Sequence, residues 1–148
     1  MAPPTSRRDL AAMIAPLARA LVAAELPVLS THGLTMWGYA VLDALGDQPV
    51  RTQAALAQSI GADKTRIIGV LDELQQQGLI ERRPDATDRR ARLVSITEAG
   101  SRTRAAAQAD IQRNEDRLLA RLSPTDRQGL LNALRFLSAL PPEEITGA

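Results

Sequence analysis

Apolar residues recur at helical spacing from near the start of the chain. Leu10, Met13, Ile14, Leu17 and Leu21 share one face over residues 7–25, which predicts a helix kinked or restarted at Pro16 and finished before Pro27. A second helix is expected to start after Gly33, run from Leu34 through Trp37, Val41, Leu42 and Leu45, and stop at Gly46. Thr52 is placed to cap a short helix with Leu56 and Ile60 on one face and Gly61 at its end. Asp63 is placed to cap the next, with Ile67, Val70, Leu71 and Leu74 as its buried stripe and Gly78 as its close. The period then shortens. Residues 79–83 and 91–96 read as two strands joined by a charged loop, 84–90. Thr97 caps a long helix lasting to about Leu122, and Ser123-Pro124 opens a last one, striped by Leu130, Leu134 and Leu137 and ending before Pro141-Pro142.

A short helix, a turn at Gly61, a second helix and a charged hairpin form the order of a winged helix-turn-helix, whose second helix can enter a DNA major groove. The predicted fold class is mainly α with a small antiparallel β-wing. A helix of about 26 residues spans ~39 Å, more than a small winged lobe needs. That surplus, with apolar helices near both ends, suggests a single domain over residues 1–148. In it, 34–98 form the winged lobe, and 7–26 with 105–140 form a helical dimerisation lobe. An apolar stripe alone fits the core of a monomer equally well.

Composition narrows the chemistry. With 45% apolar and 24% charged residues the chain is globular in type. The absence of cysteine excludes disulfides and thiolate metal sites, and a single histidine leaves little for zinc or acid-base work. There is no nucleophile motif and no phosphate loop, and the pairs Asp72-Glu73 and Glu143-Glu144 are helix neighbours that point apart. An enzyme is not expected, and nothing implies a cofactor or a metal. The start Ser6-Arg7-Arg8 imitates an export signal, but Pro16, Arg19 and Glu25 interrupt the apolar stretch after it. No unbroken apolar run nears the ~20 residues that span a bilayer, so a cytoplasmic protein without a membrane partner is expected. The net charge of +1 is uninformative, yet residues 51–104 hold ten basic and seven acidic groups. The middle of the chain alone is positive.

Within that layout, Leu34-Thr35, then Gly78-Leu79-Ile80-Glu81-Arg82, Asp88-Arg89-Arg90-Ala91 and Ile96-Thr97-Glu98-Ala99-Gly100 resemble the multiple antibiotic resistance regulator (MarR) family over nearly the whole chain. The resemblance implies a homodimeric winged-helix regulator that binds near-palindromic double-stranded DNA. Repression, released by a small aromatic or amphipathic effector, is the family's common mode. The alternative is a winged-helix dimer that works through protein contacts, or as an activator, without ligand control.

Rotation by 100° per residue puts Thr65, Gly69, Asp72 and Gln76 at the centre of the outer face of the 63–77 helix, flanked near its start by Lys64, Arg66 and Ile68. Arg66 suits a bidentate contact to guanine or a phosphate, Thr65 a base edge or phosphate, Ile68 a thymine methyl and Lys64 a phosphate. Gly69 departs from the long polar residue common in the family and either admits close backbone approach or is simply tolerated. In the hairpin, Arg82, Arg83, Arg89, Arg90 and Arg92 face Glu81, Asp85 and Asp88 within twelve residues. The family's Asp-x-Arg wing tip, matched by Asp88 and Arg90, implies an arginine in the minor groove held by the aspartate, with Arg89 beside it. Arg82 suits a structural or a phosphate contact. The family's effector cavity implies His32, Trp37 and Tyr39 as lining, although Trp37 also lies at core spacing with Val41.

Overall fold

The computed structural model describes residues 6–147 of the chain. Its elements run α1 (Leu10–Thr31), α2 (Met36–Asp47), β1 (Val50–Thr52), α3 (Gln53–Ile60), α4 (Lys64–Gln76), β2 (Ile80–Pro84), β3 (Arg92–Ile96), α5 (Glu98–Leu119), α6 (Pro124–Ser138) and α7 (Pro142–Thr146). The chain divides into two units, Met1–Ala109 and Asp110–Ala148, with the boundary inside α5. The first unit groups α1 with the winged elements. The outermost residues of the expected 1–148 domain, 1–5 and 148, lie outside the described part.

Local chemistry sets most boundaries in the first unit. The Thr35 hydroxyl accepts from Gly38 N–H at 3.0 Å and starts α2. Thr52 accepts from Ala55 N–H at 3.1 Å and starts α3. Gly61, at φ 70°, supplies the left-handed residue that ends α3, a conformation without penalty only for glycine. Leu42, Leu45, Leu56, Ile67, Leu71, Leu74, Ile80 and Val94 are buried together with Leu29 and Val41 as the core.

Sequence reading and structure differ in three places. Helix α1 is continuous: it runs through Pro16 and past Pro27 to Thr31, instead of breaking at the first proline and stopping before the second. A helical proline costs about 3 kcal/mol. Burial of Leu29, and the Leu34 N–H that donates to Leu29 O at 2.9 Å, hold the last turn in place against that cost. The extra length makes α1 long and apolar enough to cross a membrane by length and composition, although Arg19 and Glu25 lie within it. Second, β1 had no sequence signal. It exists because Val50, Arg51 and Thr52 pair antiparallel with Ser95, Val94 and Leu93, giving a three-stranded sheet in the order β1-β3-β2. Third, the helix striped by Leu130, Leu134 and Leu137 ends at Ser138, before Pro141-Pro142 as expected, but it is not the last: Pro142 occupies the first turn of α7, where a missing N–H is harmless.

The two motifs around the hairpin form one joint. The Thr97 hydroxyl donates to Gly78 O at 2.7 Å and accepts from Gly100 N–H at 3.0 Å, while Thr97 N–H donates to Leu79 O at 3.0 Å. A Cβ at Gly100 would collide with the Leu79 carbonyl. Glycine is therefore required where the first turn of α5 meets the end of α4.

In the second unit, the Ser123 side chain accepts from Asp126 N–H at 3.1 Å and starts α6. Arg127 pairs with Asp116 at 3.1 Å. Helix α6 buries none of its residues.

Candidate nucleic-acid interface

Asp63 Oδ1 accepts the N–H of Arg66 at 2.7 Å and fixes the start of α4. With Ile67, Val70, Leu71 and Leu74 buried, the opposite face is open, and Lys64, Thr65, Arg66, Ile68 and Gly69 are all exposed. Ile68 is 49% exposed, and a Cβ at Gly69 would meet nothing within 4 Å. The free N–H groups and dipole of the helix start attract anions.

At its tip the hairpin is built by two aspartates. Asp85 accepts from the N–H and hydroxyl of Thr87 at 2.9 and 2.8 Å, and its own N–H donates to Ala91 O at 3.1 Å. The Thr87 backbone bond, then its hydroxyl bond, hold the Asp85 carboxyl below its ordinary pKa. Asp88 Oδ1 accepts the N–H of Arg90 at 3.0 Å, so this carboxylate shapes the backbone from which Arg90 projects. Arg89 and Arg90 are exposed. Among the described residues, Lys64, Arg66, Arg89 and Arg90 form no ion pair.

Arg82 behaves differently. It is 18% exposed, and from β2 it donates through Nε to Gln75 Oε1 at 2.6 Å and through a terminal nitrogen to Asp72 Oδ1 at 2.5 Å, both acceptors on α4. The guanidinium thus braces the wing against the helix. Asp72, which sequence rotation put at the centre of the outer face, is its partner.

His32, Trp37 and Tyr39 are each half-buried, but only Trp37 lines the groove beside the start of α4. That groove, of about 410 Å³, is bordered by Thr35, Trp37, Asp63, Thr65, Arg66, Gly69, Val70 and Glu73. The Arg66 guanidinium carbon stands 5.6 Å from the centroid of the Trp37 ring. Sequence reasoning missed the Trp37 contact; for Arg82 it offered a structural or a phosphate role, and the structure shows the structural one, on partners that had not been named. The only advance signal for either was the position of Arg82 in the Gly78-Leu79-x-x-Arg motif. Among the described residues, no cluster of histidine and carboxylate side chains is arranged to hold a metal ion.

Comparison with known proteins agrees with this architecture. The MarR family profile matches residues 32–91. Transcriptional regulator HosA of Escherichia coli is 31% identical over 102 residues, covering 69% of this chain and 76% of that protein. A putative transcriptional regulatory protein for the hcr operon of Thauera aromatica is 31% identical over 110 residues, 74% of this chain and 66% of its own length. Among solved structures, the PcaV transcriptional regulator of Streptomyces coelicolor, crystallised with its natural ligand, superposes with a TM-score of 0.67 at 28% identity, over 90% of this chain and 97% of that one. These relatives and this fold are those of transcription regulators, not of enzymes. A winged helix with an exposed outer face on α4, and curated regulators aligned along most of its length, lead to one conclusion: the chain belongs to the MarR family of transcriptional regulators.

Proposed function

We propose that this regulator is a cytoplasmic homodimer that binds a near-palindromic operator in double-stranded DNA, represses transcription there, and lets go when a small aromatic or amphipathic molecule binds. The observation that carries the reading is the exposed row Lys64 to Gly69 at the start of a helix whose other face is locked into the core. The hairpin, with the exposed Arg89 and Arg90 at its tip, is braced to that helix by Arg82. In this reading Arg66 takes guanine or a phosphate, Thr65 a base edge or phosphate, Ile68 a thymine methyl, and Lys64 a phosphate. Gly69, whose Cβ position is open, lets the α4 backbone approach the DNA closely. Arg90 enters the minor groove from a tip shaped by Asp88, with Arg89 against a neighbouring phosphate, and an A/T-rich groove favours such an insertion.

Dimerisation is supported by the apolar stripes left open on the single chain. Leu10, Met13, Ile14 and Leu17 on α1, and Leu130, Leu134 and Leu137 on α6, are all exposed. These stripes fall within the segments 7–26 and 105–140 proposed for dimerisation, and 34–98 is the proposed winged lobe. Two reading helices related by a two-fold axis would engage half-sites roughly 34 Å apart. Effector control is supported by PcaV, which was crystallised with a natural ligand. Trp37 and Tyr39, joined by His32, are the proposed lining of the effector site.

Fluorescence anisotropy on fragments selected from the source genome tests the reading. The parent should bind one near-palindrome far more tightly than random duplex, and affinity should fall steeply with salt. Arg90→Ala should weaken binding broadly and reduce the salt slope by about one contact per subunit. Arg66→Ala should lose ~1–3 kcal/mol of selectivity at one base pair per half-site. Equal affinity for every duplex at moderate salt would refute operator recognition and favour a protein-contact role.

A further inference from the structure

Arg66 is held at two points. Asp63 fixes its backbone N–H, and the Trp37 ring lies 5.6 Å from its guanidinium carbon, inside the reach of a cation–π contact. Asp63 and Glu73 border the same groove, yet among the described residues no carboxylate pairs with Arg66. The ring therefore engages the guanidinium without using its N–H donors, which are what a bidentate contact to guanine requires. Arg82 shows the opposite arrangement, with its donors taken by Asp72 and Gln75.

We propose that Trp37 is a positioning residue for DNA readout: the indole holds Arg66 with its donor edge free, and the bare Cα of Gly69 leaves the space in which that edge meets a base. The proposal rests on the reading of α4 as the DNA-reading helix. A flexible arginine must be ordered when it binds, and a contact formed beforehand removes part of that cost. An exposed cation–π contact biases such an equilibrium about two- to fivefold. The effect belongs at the base pair that Arg66 reads and nowhere else along the operator.

Trp37 is the only tryptophan in the chain, so its emission reports the contact directly. In the free, full-length protein, Arg66→Ala should shift or dequench that emission; unchanged emission would overturn the stack. A base-substitution scan of the operator then compares the parent with Trp37→Leu and Trp37→Phe, each with and without Arg66→Ala. Trp37→Leu should lose about two- to fivefold of the preference at one base pair per half-site and keep the parent salt slope. Trp37→Phe, which keeps a ring, should restore most of the preference. With Arg66→Ala already present, Trp37→Leu should add nothing. A uniform loss on all sequences, a loss independent of Arg66, or no rescue by phenylalanine would each overturn the positioning role. A parent without any base preference would instead overturn the reading of α4 itself, and the emission result would still stand as a measure of the contact alone.

Discussion

Helices α4 and α6 are close in length, 13 and 15 residues, and each carries an aliphatic stripe at helical spacing, but they meet opposite fates. In α4, Ile67, Val70, Leu71 and Leu74 are all buried. In α6 nothing is buried, and Leu134 keeps 52% of its surface open. Amphipathicity promises that a face will be covered; it does not say by what. The α4 stripe closes within its own unit and so fixes which residues of the helix are left exposed. The α6 stripe stays open in the single chain, and burial of three leucines is worth on the order of 5 kcal/mol, enough to favour a partner.

The same kind of substitution in the two helices separates these fates. Leu71→Ala removes a fully buried side chain and should cost about 2–5 kcal/mol in urea unfolding at any protein concentration. A loss under about 1 kcal/mol would mean that α4 is not the keystone of its unit. Leu134→Glu should leave the far-ultraviolet spectrum of the fold intact while moving the proposed dimer to monomer in sedimentation, with a loss of about 1.5–3 kcal/mol of burial per pair of subunits, since each Leu134 is half-exposed in the single chain. The dependence of the melting temperature on concentration should vanish with it. An unchanged dimer would place the seam elsewhere. The outer face of α4 gives the smallest effect and the opposite sign: Gly69→Ala meets no neighbour and should stabilise by about 1 kcal/mol, seen as a higher melting temperature.

Where the determining interaction is local, residue pattern and structure agree closely. Thr52, Asp63, Thr97 and Ser123 cap the helices they were expected to cap, because a side-chain oxygen and an N–H three residues on need nothing from the rest of the chain. Gly61 and Gly78 take the positive φ expected at helix ends. The exposed set on α4 followed from periodicity alone. What the residue pattern did not show shares the reverse property. Helix α1 outlasts Pro27 because distant packing buries Leu29, β1 forms only by pairing with residues more than forty positions away, and Arg82 reveals its partners only once β2 lies beside α4.

The order of winged elements, the caps of α3, α4, α5 and α6 and the outward row on α4 were thus written into the chain at short range. Tertiary contact alone decided that Arg82 braces the wing while Arg66 rests on Trp37 with its donors free. A guanidinium of the same chemistry serves either purpose, and only the groups that folding brings within a few ångströms determine which one it serves.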